Sequence, residues 1–212
     1  ASVRQGMATT DNERFLRQWH ELSIGAIGFN FSSPSEGNED GYDWFPYNKG
    51  GEYRKWYGNL SYVVRYENDG EVLIDLVTKK YPKISDPEFV IKNRSYYCRA
   101  GITWSDVTSG KTSFRYLPAG FLFDGRGSCV FPLDGDLFRH VEFLNTPVVI
   151  AAAEFLNPTL VLNPGEIKKL PFRADTGELS RAGHGQKLVE FGKLDWNAYE
   201  RSWDFQSLPL LT

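Results

Sequence analysis

The sequence predicts an α+β fold in which the short strands of a twisted antiparallel or mixed sheet, or of a partly open barrel, pack against helices. Alternating apolar and polar residues with turn signals between them run from 101 to 131, a pattern typical of short strands. Helical periodicity appears at 11–21 and 136–156. The 212 residues are 41% hydrophobic and 15% aromatic, enough for a substantial core in one domain or in a domain with an appendage.

The first organised segment is a predicted helix over about 11–21. Thr10 and Glu13 have the spacing of a capping box, and apolar residues follow at helical spacing. Three further elements are predicted before residue 82, namely a polar loop, a strand and a short helix, at 32–43, 61–67 and 72–81. Residues 87–99 are compatible with strand or loop.

The clearest β pattern lies between 101 and 131 and predicts a meander of short strands. Apolar side chains such as Ile102 and Trp104 alternate with polar ones. One face of such a sheet builds core while the other can remain open. We therefore expect the face with Thr103, Ser105 and Arg115 to stay free for a ligand.

The last third of the chain is predicted to be largely helical. Residues 136–156 have helical spacing, and the almost wholly apolar stretch 148–156 should be buried in the core or against a partner. Residues 160–162 are a short strand candidate. The glycine-containing stretch 173–186 suggests a mobile connector, and 195–203 a capped helical turn whose indoles dock onto the body. These features divide the chain into a domain at 1–172 and a connector with a docking segment at 173–212.

Charge is distributed unevenly along the chain. A net charge of −3 excludes a globally basic nucleic-acid binder. Residues 47–116, however, contain 12 Lys and Arg against 8 Asp and Glu, a net charge of +4, which leaves −7 for the remainder. A local basic face in the middle of the chain is therefore compatible with nucleic-acid binding.

Residues 47–59 combine three cations, four aromatic residues and three glycines. Glycine lets a backbone approach a ligand closely, and cations with flat rings suit phosphates and bases. The alternative is a glycine turn followed by amphipathic residues that pack on the fold. Candidate phosphate ligands in and near this stretch are Lys49, Arg54, Lys55, Lys79 and Lys80, although lysines like the last two more often form a solvated face.

Base contacts are expected downstream of that stretch. Candidates at or near bases are Thr103, Ser105, Lys111 and Arg115, with Lys111 equally compatible with an ordinary turn lysine. Trp56 and Trp104 are candidate stacking residues, and core packing is the alternative for Trp104.

Several kinds of site are not visible in the sequence. Cys98 and Cys129 could pair, but free thiols in a reducing cytoplasm are favoured. The three histidines are scattered, so no metal site is predicted, and no transmembrane segment or signal peptide appears. No nucleophile elbow, triad or nucleotide fingerprint is present. The chain begins at Ala1 with Met7 as its single methionine, and we expect a cytoplasmic, excised segment without catalytic residues.

Separated motifs along nearly the whole chain resemble one family. They lie, in order, at 3–17, 47–59, 101–105, 121–124, 143–145, 157–159, 170–171 and 195–205. Together they resemble the target-recognition region of BREX-system adenine-specific DNA methyltransferases of the PglX type, related to fused restriction-methylation enzymes. One departure is Thr9-Thr10, where the family often has Thr-Gly. The resemblance implies a fold like that of DNA-methylase specificity domains.

The resemblance also implies a function for the parent enzyme. It would transfer a methyl group from S-adenosylmethionine to adenine N6 in a phage-defence system, with its catalytic motifs N-terminal to this segment and no cofactor bound here. The implied partners are double-stranded DNA, the methyltransferase domain of the same parent chain, other BREX proteins and a phage-encoded inhibitor. The alternative function is a protein-interaction module that docks the methyltransferase domain, another defence subunit or a phage DNA mimic.

Overall fold

A computed structural model describes residues 1–83, 86–107, 111–133, 136–157, 159, 161–170 and 183–209. The strands are β1 Ser2–Arg4, β2 Leu16–Gln18, β3 Trp44–Asn48, β4 Tyr62–Arg65, β5 Gly101–Trp104, β6 Phe114–Leu117, β7 Leu122–Phe123 and β8 Cys129–Phe131. The α-helices are α1 Asn12–Phe15, α2 Pro34–Glu39, α3 Glu71–Lys80, α4 Leu137–Leu144, α5 Pro147–Leu156, α6 Pro164–Ile167 and α7 His184–Asn197. Short 3-10 turns lie at Trp19–Glu21, Ile24–Ala26, Glu67–Gly70, Pro87–Phe89 and Arg94–Tyr96.

The strands form two four-stranded sheets, which confirms the predicted α+β class. The first sheet has the order β1-β8-β5-β6 with antiparallel neighbours. The second has the order β2-β4-β3-β7, in which β3 and β7 are parallel. Among the described residues the strands form open sheets rather than a closed barrel.

The first sheet is buried on both faces. All four residues of β5 are buried, and α4 packs against β5 and β6 on one side. Beside β6 the backbone of Trp56 acts as an additional strand, since its N–H donates to Phe114 (3.0 Å) and its carbonyl accepts from Tyr116 (2.8 Å). The segment 54–56 therefore covers what would otherwise be an edge of the sheet.

The predicted helix over 11–21 is wrong. Helix α1 ends at Phe15, because Leu16 takes an extended conformation (φ −118°, ψ 136°) and pairs with β4 as part of β2. The cap is Asp11, whose side chain accepts from the N–H of Arg14, rather than Thr10. Strand pairing across the chain has overridden a local helical pattern.

The predictions for residues 32–99 are confirmed in part. The loop at 32–43 contains α2, which Ser33 caps. The strand at 61–67 and the helix at 72–81 are confirmed as β4 and α3. The ambiguous region 87–99 contains 3-10 turns and no strand among its residues.

The later elements differ more from expectation. The simple meander is wrong because β7 leaves the first sheet and pairs with β3. The helical prediction for 136–156 is confirmed as α4 and α5, the second of which begins at Pro147. Of the candidate strand at 160–162, residue 160 lies outside the described residues and Val161 forms an isolated bridge with Val107.

The C-terminal segment contains a longer helix than predicted. Helix α7 begins at His184, inside the expected connector, while residues 171–182 lie outside the described part of the chain. Its Trp196 is buried, and the ring of Trp203 lies 5.2 Å from that of Phe29 and 5.7 Å from that of Phe121. Both indoles therefore dock onto the body, whereas the division at 172/173 stays a prediction.

Candidate nucleic-acid interface

Two of the predicted phosphate ligands meet at one turn, residues 9–12. The Lys80 ammonium, at the end of α3, donates to the carbonyl of Thr10 (3.0 Å). The Lys49 ammonium lies 3.4 Å from Oδ1 of Asn12 and 3.6 Å from Oδ2 of Asp124. Lys79 is exposed beside Lys80 on α3. The fold thus brings together cations from two separate basic stretches of the sequence.

A cleft of about 380 Å³ opens at this turn. It is lined by Ala8, Thr9, Thr10, Asn12, Lys49, Asp124 and Arg126. The Asp124 carboxylate is held in place by the Tyr47 hydroxyl (2.9 Å) and by the backbone N–H of Arg126 (2.8 Å). Arg126 is exposed, and sequence reasoning assigned it no role. The flanking glycines, which make a tight turn with a cation at its tip, were the available signal.

Arg54 and Lys55 have different neighbours. The guanidinium of Arg54 forms a 2.6 Å ion pair with Asp195 of α7 and lies 5.1 Å from the ring centroid of Trp196. The Lys55 ammonium lies 6.0 Å from the ring centroid of half-buried Trp56. In this structure Arg54 therefore attaches α7 to the body.

The expectation that Thr103 and Arg115 lie on a free face is wrong. Both are 0% exposed, as is Trp104. The face of the sheet that carries Thr103 and Arg115 is covered by Asn48 of β3, whose amide donates to the Thr103 hydroxyl (2.7 Å), and by residues 50–54. The Trp104 indole N–H donates to the carbonyl of Leu162 (2.8 Å), which fits the core alternative for this residue.

Arg115 instead orders the glycine loop of residues 50–54. Its guanidinium donates to the hydroxyl of Ser105 (3.1 Å) and to the carbonyl of Arg54 (3.4 Å). The same Ser105 oxygen accepts the N–H of Gly51 (3.0 Å). Burial lowers the pKa of Arg115 to about 10, although the group remains charged at neutral pH. The buried cation thus fixes both ends of the loop through hydrogen bonds.

Lys111 is exposed and half-buried Ser105 lies beneath the glycine loop. Residues 108–110, directly before Lys111, lie outside the described residues. Cys98 and Cys129 are unpaired and buried, and burial raises the pKa of Cys98 to about 12 and that of Cys129 further. Thiols with such pKa values are poor nucleophiles.

Two further findings concern the described ranges as a whole. They contain no group of three His, Cys, Asp or Glu side chains arranged to hold a metal ion. Nor does any helix in them combine the length and the apolar character needed to cross a bilayer.

Comparison with known proteins identifies the class. Along its whole length the chain is homologous to a segment of adenine-specific methyltransferases, which confirms the family resemblance predicted from the sequence. It is 38% identical over 216 aligned positions to the adenine-specific methyltransferase PglX of Lacticaseibacillus casei (strain Zhang). It is 36% identical over 200 positions to the adenine-specific methyltransferase BrxX of Escherichia coli O9:H4 (strain HS).

These alignments are unequal in coverage. They include 100% and 93% of the chain but only 17% and 15% of the two relatives. The chain therefore spans about one sixth of the length of the curated relatives it matches. No protein-family model matches the chain.

Proposed function

We propose that the chain is the DNA target-recognition part of an adenine-specific methyltransferase of a phage-defence system. The observation that carries this proposal is the homology of 100% and 93% of the chain to a limited segment of two adenine-specific methyltransferases. Lysines from separate stretches that meet at the turn of residues 9–12 support it, because grouped cations neutralise neighbouring DNA phosphates.

In this proposal the parent enzyme transfers a methyl group from S-adenosylmethionine to adenine N6. The methyl donor is bound by parts of the parent outside the aligned segment. This segment holds the duplex while the catalytic domain extrudes the adenine, since an enzyme that modifies a base must take it out of the stack.

Roles for the predicted site residues follow from their exposure. We assign Lys49, Lys79 and Lys80 to phosphates, with Lys55 as a further phosphate ligand, and Arg54 to the attachment of α7. Exposed Lys111 is the remaining candidate for a base edge. Ser105 and Arg115 act indirectly, by ordering the loop that follows Lys49.

Duplex binding across a salt series tests the proposal. The triple variant Lys49→Gln, Lys79→Gln and Lys80→Gln should reduce the slope of log K against log salt by about 0.9 for each phosphate contact removed. The matched control replaces three exposed lysines elsewhere, Lys168, Lys169 and Lys187, with Gln and should leave the slope unchanged. Equal slopes for both variants would overturn the assignment.

The surface of α5 favours a second candidate function, docking of the methyltransferase domain of the parent chain. Val149, Ile150 and Ala153 pack inward, yet Val148 is 78% and Phe155 88% exposed. Monomeric proteins rarely leave such apolar faces uncovered. The relatives are about six times longer than the aligned segment, so a parent of that kind would supply the covering surface.

The two candidates are separable with one double variant. Val148→Ser with Phe155→Ser should abolish DNA methylation by the full-length parent enzyme but leave duplex binding by this chain intact. Glu154→Gln, on the same helix, is the control and should leave methylation unchanged. Retained methylation in the double variant would exclude docking through α5, and dimers of this chain dispersed by the double variant would indicate a second copy as the occupant instead.

A further inference from the structure

Thr10, in the turn of residues 9–12, has an unusual backbone. Its φ of 58° lies in the left-handed region, which a β-branched residue rarely adopts and which glycine adopts freely. Residues held in a strained backbone conformation cluster at binding sites. The side chain of Thr10 is therefore a candidate for a ligand contact.

The hydroxyl oxygen of Thr10 is buried and has no hydrogen-bond partner within the described part of the chain. Thr10 lines the cleft at this turn together with Lys49 and Arg126. A buried hydroxyl without a partner is costly unless a ligand or ordered water completes it.

The charge of the cleft favours an anion. Lys49 and Arg126 line it against a single carboxylate, that of Asp124, and Lys80 binds the Thr10 carbonyl. That carboxylate already accepts the Tyr47 hydroxyl and a backbone N–H, and its 3.6 Å separation from the Lys49 ammonium is longer than a charge-assisted hydrogen bond. Lys49 therefore retains donor capacity for an incoming anion.

We propose that this cleft binds one phosphodiester of the DNA backbone, with Lys49, Arg126 and the Thr10 hydroxyl as its donors. The proposal rests on the proposed function and extends it to two residues, Thr10 and Arg126, that the sequence reading did not assign to DNA. Arg126 supplies a fork of N–H donors suited to phosphate, and the hydroxyl supplies a short neutral donor.

Three variants test the site by duplex binding across a salt series. Arg126→Gln should reduce the salt slope by about 0.9, the value for one phosphate contact. Thr10→Gly should raise the thermal midpoint, because it relieves the backbone, and yet weaken duplex binding by about tenfold, because the hydroxyl is lost. Thr10→Ser should bind as tightly as the original chain. Arg99→Gln, at an exposed arginine remote in sequence, is the control and should leave the slope unchanged.

The outcomes separate this site from the proposed function. If the original chain shows no salt-dependent duplex binding, the proposed function fails and the site with it. If it binds but Arg126→Gln and Thr10→Gly match it in affinity and slope, the site alone is overturned. Inorganic phosphate at constant ionic strength should compete with duplex for the original chain more than for Arg126→Gln. If phosphate competes equally for both chains, the anion binds elsewhere and the assignment of this cleft is refuted.

Discussion

Asp106, two residues beyond the end of β5, offers a sharp test of the structure through pH. It is 5% exposed, and its Oδ1 has no hydrogen-bond partner among the described residues. Its backbone joins two other segments, since its N–H donates to the carbonyl of Arg126 (3.1 Å) and its carbonyl accepts from the N–H of Leu162 (2.8 Å). The side chain is thus held in the interior by backbone bonds on either side.

Burial raises the pKa of Asp106 to about 7. Nearby Asp124 and Glu166 act in the same direction, and Ser128 and Arg126 oppose them. The pKa lies about three above its ordinary value of 3.8. At 1.36 kcal/mol for each pH unit, this difference corresponds to about 4 kcal/mol of the free energy of unfolding. The unfolded chain loses the proton near pH 4 and the folded chain near pH 7, so this contribution is fully present below pH 4 and lost as pH rises to 7.

Replacing Asp106 with asparagine should remove this pH dependence. The free energy of unfolding of Asp106→Asn, relative to the original chain, should rise by about 3 kcal/mol between pH 5 and pH 8. Urea denaturation at each pH measures it, and Asp75→Asn, at an exposed position on α3, is the control with a flat difference. Parallel stability curves for the original chain and Asp106→Asn would refute the argument.

Four further substitutions test other residues. Trp104→Phe removes the donor to the Leu162 carbonyl and should cost about 2 kcal/mol of unfolding free energy in urea denaturation; no loss would contradict the core assignment. Asp195→Asn should cost less than about 1 kcal/mol in thermal unfolding, since its ion pair with Arg54 is partly exposed. Arg54→Gln should leave the DNA salt slope unchanged. A fall in the slope of about 0.9 would instead indicate that Arg54 contacts a phosphate. Gly6→Ala would bring a methyl group within 1.8 Å of a β7 carbonyl oxygen and should cost at least about 3 kcal/mol, so a normal midpoint would show that β7 can move.

Elements governed by local pattern were predictable from the sequence. Helix α3 has an amphipathic face and a proline shortly after its end, and β4 is a run of β-branched and aromatic residues. Helix α1 was not predictable in length, because its end is decided at Leu16 by pairing with Val64 of β4, 48 residues further on. No window of sequence carries that information.

The candidate site was predictable in composition but not in arrangement. Lys49 and Lys80 stood out as cations, yet only the fold brings both to the turn of residues 9–12. The positive φ of Thr10 leaves no mark in the sequence, and Arg126 lies in a glycine pattern that matches no nucleotide fingerprint.

The burial of Arg115 bears on where recognition of the DNA sequence would occur. Alternation in a strand tells only that two faces differ, and a polar residue on the second face is exposed only if nothing covers that face. Here Trp56 continues the sheet beside β6. The buried guanidinium of Arg115 donates hydrogen bonds to the hydroxyl of Ser105 and to a loop carbonyl rather than to solvent. Under the proposed function, a side chain that reads a base edge would therefore lie outside the strands, as exposed Lys111 does, while β5 and β6 support the loops beside them.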